Sequence, residues 1–428
     1  MKKMFLLLCI ALYQISCVYE SPTWSKNGEK ILFGALFHDD MDEEQYQFFL
    51  WNSKDKSIRQ ITQYNENHFG MSGSLAPDGK TFISFEKRNE QDETDDEETL
   101  TLCRRDIEHG TSSDMMDLAK SENHLPVYQP YSTKGDRFAI NTYNKKTMMW
   151  QICILGADGQ KRFLNTSQSA ILPVWSPDDA WIAYLSIPVA QDGASLASTY
   201  QLVIESTNLE EKIVLANAIP FPDTSEKNIL SFLAPSWSPD GSSIAFVYSN
   251  QIATINIQDR TQKIITDTPL LKIWPRYAPN ATYIAYNVIK APNKDSISYG
   301  NNTIDIWITD PQGQSHKQLT QLDGEAYLPA WSPSSDQIAF LYTNEVVSFL
   351  LSIVDIEGNV RFYPATASQK TQLAEYYIDQ SKNFRETNPQ LSKQNQSEAK
   401  QLLNDVIQKG PNSYWAKKAN ELISNSKS

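Results

Sequence analysis

One pattern recurs seven times along the 428 residues and constrains the fold more than anything else in the chain. It consists of a Pro, a variable residue, an aromatic, then Ser-Pro-Asp-Gly or a relative, followed by an apolar run. Three copies are close to one another: Pro173-Val-Trp175-Ser-Pro-Asp178, Pro235-Ser-Trp237-Ser-Pro-Asp-Gly241 and Pro329-Ala-Trp331-Ser-Pro333. Four are looser: Pro22-Thr-Trp24-Ser-Lys-Asn-Gly28, Leu75-Ala-Pro-Asp-Gly79, Tyr131-Ser-Thr-Lys-Gly135 and Pro275-Arg-Tyr277-Ala-Pro-Asn280. The aromatic or equivalent positions, 24, 75, 131, 175, 237, 277 and 331, lie 51, 56, 44, 62, 40 and 54 residues apart. Pro-Asp-Gly is turn chemistry: Pro sets φ, Asp bonds nearby backbone and Gly accepts φ > 0. Each turn therefore joins a short strand ending at the aromatic to a second strand such as Ile244-Ala-Phe-Val-Tyr248.

Third strands follow, as in Tyr46–Trp51, Tyr200–Ile204 and Ile304–Ile308, and short fourth strands such as Ile58–Thr62, Lys263–Ile265 and Lys317–Thr320. A four-stranded sheet of this kind cannot bury both faces alone, but radial stacking buries them and leaves only short edges. The repeat Trp-Ser-Pro-Asp-Gly-x-x-Ile-Ala-Phe with a late Gln-Leu-Thr resembles the TolB-type, WD40-like β-propeller repeat over residues 20–365. That resemblance implies an all-β fold, a seven-bladed β-propeller of four-stranded blades, with a small C-terminal α-helical segment. TolB proteins carry an additional α/β domain and six blades; here there are seven copies and no room for that domain. Propellers host many activities, so the resemblance speaks to fold before function.

The first residues read as an export signal. Lys2 and Lys3 precede a short apolar stretch, Phe5 to Tyr13, too short for a stable spanning helix. Gln14-Ile-Ser-Cys17 resembles the bacterial lipobox, with Gln14 where that motif prefers Leu; the resemblance implies lipidation at Cys17 after loss of residues 1–16 as a signal peptide. No other stretch approaches 18 consecutive apolar residues. Cys103 and Cys153 lie in strand-like runs and read as buried small side chains; an exported compartment permits a disulfide without implying one.

After Pro364 the strand pattern stops, and residues 366–428 take helical spacing. Leu373, Tyr377 and Phe384 line one candidate face. Ala399, Leu402, Leu403, Val406 and Ile407 form an amphipathic stripe, ended by Gly410-Pro411, with Asn412 or Ser413 able to cap a third stripe of Trp415, Ala419, Leu422 and Ile423. The interval from Ala399 to Pro411 resembles part of a tetratricopeptide repeat; a helical hairpin packed on the propeller accounts for it equally simply.

Lys and Arg total 38 against 51 Asp and Glu, a net charge of −13, which repels phosphate and excludes general nucleic-acid binding. Two acidic runs sit between second and third strands of neighbouring repeats: Asp39, Asp40, Asp42, Glu43 and Glu44, then Glu90, Asp92, Glu93, Asp95, Asp96, Glu97 and Glu98. They read as solvated loops or as a docking patch for a basic partner, and they lack calcium-loop spacing. In a propeller map His38, His68 and His124 share one rim, where they could hold a metal. Seven-bladed relatives that cleave pectic oligosaccharides use such a site, by resemblance, although no metal-ligand spacing supports it here. His109 and His316 fall on the opposite turns. The Ser-Pro-Asp serines are turn residues, no Gly-x-Ser-x-Gly elbow occurs, and no motif calls for a cofactor. Longer connections at 188–198, 216–233 and 290–301 decorate the blades, where recognition usually sits. The expectation is a non-catalytic, exported, lipid-anchored bacterial envelope protein offering its loop face or central channel to a protein or glycan partner. The alternative is a metal-dependent polysaccharide lyase or hydrolase on the same rim.

Overall fold

The computed structural model describes residues 21–38, 44–65, 68–88, 99–118, 130–144, 146–164, 166–188, 198–223, 229–290 and 303–426; at 36–38, 44, 45, 69, 71, 88, 99, 118 and 229 it describes backbone only. All seven sequence repeats fold into the same turn. The amide of Gly28, Gly79, Gly135, Asp179, Gly241, Ala281 or Ser335 donates to the carbonyl three residues earlier, at 2.9–3.0 Å. Each of these seven residues has φ between 60° and 74°. This is a turn closed by a left-handed residue, which suits the twist of an antiparallel pair.

Each turn opens a meander of consecutive antiparallel strands. The first is β1–β4 (Thr23–Trp24, Lys30–His38, Glu44–Asn52, Ile58–Gln60) and the second β5–β8 (His68–Leu75, Thr81–Arg88, Thr99–Asp106, Ser112–Leu118). The third is β9–β11 (Arg137–Asn144, Met149–Gly156, Lys161–Phe163) and the fourth β12–β15 (Ser169–Trp175, Trp181–Ile187, Thr199–Ser206, Lys212–Pro220). The fifth is β16–β19 (Ser236–Trp237, Ser243–Tyr248, Gln251–Asn256, Gln262–Ile264), after a short 3-10 turn, Ile229–Phe232. An eight-stranded sheet then contains two further meanders, β20–β23 (Leu271–Tyr277, Ile284–Lys290, Thr303–Thr309, His316–Gln318) and β24–β27 (Glu325–Trp331, Gln337–Thr343, Leu350–Asp355, Val360–Tyr363). The parallel pair Ile304 and Glu325 joins them.

Two expectations change. The third meander has three strands, and its innermost strand is reduced to a bridge between Tyr131 and Phe138 among the described residues. Residues 216–220, read as loop, extend β15 because two bulges let Ile219 and Pro220 pair with Tyr200 and Thr199.

The Gln-Leu-Thr signature has a specific role. The Thr320 hydroxyl accepts from the Ile306 amide at 2.8 Å and donates to Asp305 at 3.1 Å, and Thr62 and Thr266 do the same for Phe48 with Gln47 and for Ile252 with Gln251. It pins the end of the short fourth strand to the third.

Second strands are buried on both faces, hence their continuous apolar runs. Ile244, Ala245, Phe246 and Ile338, Ala339, Phe340 have no exposed surface. Packing links each meander to the next. Phe48 meets Phe82, Ile83 and Phe85 cluster with Phe138 and Leu155, and Ile152 and Ile154 cluster with Tyr184 and Val203. One large core runs from the fourth meander to Tyr327 and Leu328 of the seventh, and another joins Ala285 and Ile306 to Phe340 and Leu350. The series returns to its start: Ala339, Leu341 and Leu351 pack with Ile31, Phe33 and Phe49.

The tail forms α1 (Ala367–Asn383), α2 (Pro389–Lys409) and α3 (Tyr414–Asn425). Side chains of Thr366, Asn388 and Ser413 cap them, with Pro389 at the first turn of α2, and Gly410 ends α2. Bonds from Ser392 to Ser381 (2.7 Å) and Lys370 to Asp405 (2.5 Å) show α1 and α2 antiparallel. Leu373 enters the core beside Tyr342, Val347 and Leu350, while Ala374, Ala399, Leu403, Val406, Trp415 and Ala419 form a small core of the tail's own. Phe384 lies at the end of α1 rather than within its face. No helix among the described residues is long and apolar enough to cross a membrane.

Candidate functional site

The repeats converge on one cavity of about 590 Å³, with lining residues from all seven, among them Trp24, Leu75, Tyr131, Trp175, Ser236, Tyr277 and Trp331. Their positions follow from the repeat. The indole of Trp175 donates to the Pro130 carbonyl (2.8 Å), Trp237 to Val174 (3.1 Å), Trp331 to Arg276 (2.9 Å) and Trp24 to Ala330 (3.0 Å). Each aromatic thus anchors its strand to the adjacent innermost strand, and a buried N–H finds the partner it requires.

The preceding Pro shapes the wall. In β12, β20 and β24 the register shifts at Leu172-Pro173, Trp274-Pro275 and Leu328-Pro329. Pro offers no N–H to the ladder, so the bulge forms where a bond is already missing. Leu172, Trp274 and Leu328 take φ of 58°, 53° and 57°, an arrangement that surrounding contacts must hold. Asn141 supplies such contacts, donating to the Ala170 carbonyl and accepting from the Leu172 amide, both at 3.1 Å; Asn287 donates to the Ala326 carbonyl at 2.6 Å.

The cavity is walled by Trp and Tyr rings, by Pro22, Pro77, Pro279, Pro329 and Pro333, and by a cationic pair of residues, Lys26 and Arg276. Arg276 is buried and donates to the carbonyls of Pro275 (3.0 Å) and Ala234 (3.3 Å). Burial, with Asp240 nearby, pushes the Tyr277 phenol up to about 12, so it stays protonated. Flat rings and one fixed guanidinium are groups that contact sugars and peptides well. The repeat serines are occupied in their turns. The hydroxyls of Ser176 and Ser238 accept from amides five residues on (both 2.9 Å) and donate to Asp178 (2.5 Å) and Asp240 (2.6 Å).

A second cluster lies in the second meander. Glu86, fully buried, accepts from Ser84 (2.6 Å), Tyr64 (3.1 Å) and Arg105 (2.5 and 2.8 Å), and lies 2.7 Å from Nε2 of His68. Burial alone would raise its pKa; Arg105, Ser84 and His68 outweigh that and hold it at about 2. His68 is therefore engaged with a buried carboxylate and its Arg partner.

Of the expected site residues, His68 begins β5, and only the backbone is described for His38, at the end of β2, and for Glu44, at the start of β3. Cys17, His124, Asp39, Asp40, Asp42, Glu43 and the run Glu90–Glu98 lie outside the described residues. Among the described residues no group of three His, Cys, Asp or Glu is placed to hold a metal. His109 lies in the β7–β8 turn and His316 opens β23. The Arg276–Tyr277 pair and the Glu86 cluster were not singled out in the sequence; Arg276 is the one cationic residue at the variable position before a repeat aromatic, a signal that was there to use.

No protein-family model matches the chain, and no curated protein does. Solved structures do. The β-propeller domain of the Trilobed protease from Pyrococcus furiosus, described as having an open velcro topology, is 10% identical, with 81% of this chain and 97% of that one covered at a TM-score of 0.53. Oligogalacturonate lyase from Vibrio parahaemolyticus is 13% identical, covering 79% and 89%, at 0.53. Putative TolB from Agrobacterium tumefaciens is 16% identical over 59% of this chain and 84% of that one, at a TM-score of 0.42. The first two likenesses show a β-propeller fold, and at these identities they show nothing of activity.

Proposed function

We propose that the chain is a seven-bladed, TolB-like β-propeller that works as a non-catalytic binding protein of a bacterial envelope, taking a protein or glycan partner at its axial cavity. One observation carries this reading: all seven repeats line the same cavity, and its described lining is made mainly of aromatic rings and prolines. Rings stack on sugar faces or on Pro-rich and aromatic peptide segments, and buried anchors of this kind dominate binding energy. Seven blades are supported by seven identical turns and by cores that lead from each meander to the next and back to the first.

Export and lipidation at Cys17 rest on the signal-like start of the sequence. The acidic residues at 39–44 and 90–98 would speed encounter with a basic partner in a salt-dependent way. No cofactor and no nucleic acid enter this reading.

The test uses the chain from residue 18 onward to capture partners from envelope extracts. Lys26→Trp, which puts a bulky ring at a lining position, and Arg276→Gln should each abolish capture of the partner that the unaltered chain retains, while Lys370→Gln on the tail should not. Capture unchanged by both cavity substitutions would refute the reading.

A further inference from the structure

Away from the axis, the tail and the first meander enclose a groove of about 770 Å³. One wall is β4, the outer strand of its sheet, which among the described residues pairs with β3 alone. The Asn52 amide donates to the Ser57 carbonyl and the Ile61 amide to the Phe48 carbonyl, both at 2.9 Å. In an antiparallel ladder these two bonds fix the alternation: residues 57, 59 and 61 turn their backbone groups to β3, and Ile58 and Gln60 turn theirs outward. Ile58 and Gln60 are the strand residues that line the groove. Short edge strands are usually shielded from foreign strands, and here helices stand beside the edge without pairing to it.

The facing wall is basic. Lys370 of α1 and Lys409 at the end of α2 line the groove, and Lys56 lies at its β4 end, its ammonium 4.9 Å from the Trp51 ring centre. Asp405 bonds to Lys370 (2.5 Å) and Lys409 (3.1 Å), leaving three ammonium groups for one carboxylate. A local positive excess of this kind stands out in a chain of net charge −13. Val406 and Trp415 supply apolar surface between the cations.

We infer that this groove binds an extended acidic peptide segment, which adds a strand to the edge of β4 and sets its carboxylates against Lys56, Lys370 and Lys409. The outward backbone groups give affinity without sequence preference, and the lysines give the charge preference. A free phosphate or a lipid headgroup would use the lysines but not the strand edge, and that difference makes the inference testable. It is independent of the axial cavity.

The probe is a fluorescein-labelled octapeptide of alternating Glu and Val, followed by anisotropy against the folded chain. Binding is expected, with none for the Lys-Val counterpart. Lys370→Gln with Lys409→Gln should weaken it about tenfold or more. Gln60→Pro removes an outward N–H that β3 does not use, so it should weaken binding to a similar degree while the thermal midpoint stays close to that of the unaltered chain. The same Glu-Val peptide N-methylated at alternate residues should lose binding to the unaltered chain, whatever Gln60→Pro does to folding. Failure of the Glu-Val peptide to bind, equal binding of its N-methylated form, or indifference to the double lysine substitution would each overturn the inference.

Discussion

The indole N–H of Trp24 donates to the carbonyl of Ala330 across 306 residues of chain, at 3.0 Å. The bonds of Trp175, Trp237 and Trp331 to Pro130, Val174 and Arg276 are of the same kind. The first and last meanders are therefore joined by the contact used between neighbours elsewhere, with Trp51 also 5.2 Å from Tyr363. Among the described residues no strand is exchanged: β1–β4 form one sheet and β24–β27 are consecutive. Trp24→Phe and Trp237→Phe should each cost about 1–2 kcal/mol, since each leaves a carbonyl without its donor. Urea unfolding of both variants checks this. A negligible cost at Trp24 beside a clear one at Trp237 would mean that the seam does not hold.

Three of the seven left-handed turn positions are not glycine. Asp179 repays its φ of 61° by accepting from the Thr133 amide and hydroxyl at 2.7 and 2.8 Å, and the Ser335 hydroxyl accepts from the Asn280 amide at 3.1 Å. Ala281, exposed and with φ of 60°, has no side-chain compensation. Ala281→Gly should stabilise the chain by roughly 0.5–1 kcal/mol, while Asp179→Gly should destabilise it. Denaturant midpoints of the two variants, moving in opposite directions, are the readout.

Glu86 links stability to pH. Its folded pKa of about 2 lies below the ordinary 4.5. Its contribution is thus present above about pH 4.5 and lost as pH falls through about 2, on the order of 3 kcal/mol for a shift of this size. Glu86→Gln should destabilise the chain at pH 7 and flatten the slope of stability between pH 4.5 and 2. Parallel stability–pH curves for the two proteins would refute the assignment.

Cys103 and Cys153 are buried and form no disulfide among the described residues, and burial pushes the Cys153 thiol up to about 11. With Cys17 replaced by Ser and residues 1–16 removed, Ellman's reagent at pH 8 should find no reactive thiol in the folded chain and two after denaturation. Reaction of either thiol without unfolding would contradict this.

What was legible in the sequence was local and repeated. Pro-Asp-Gly located the turns because Pro, Asp and Gly act within four residues, and the stripe Ala399, Leu403, Val406 located α2 because a helix face is set by near neighbours. Ala281 and Ser335 escaped the turn chemistry, since a fixed seven-turn geometry imposes φ > 0 there against residue preference. Beyond its strand neighbour Ser84, Glu86 gathers Tyr64 and His68 from the segment before β6 and Arg105 from β7, and no spacing announces that. The extension of β15 depends on two bulges that only pairing with β14 reveals.

The claim that seven repeats close about one cavity is tested most directly by electron–electron double resonance between nitroxide labels. One pair is placed at Asn27 and Ser334, in the first and last turns; the reference pair is at the equivalent Asp178 and Asp240, in neighbouring turns. Closure requires the two distance distributions to be similarly short and narrow. A long or broad distribution for Asn27 and Ser334 beside a short one for the reference pair would contradict it.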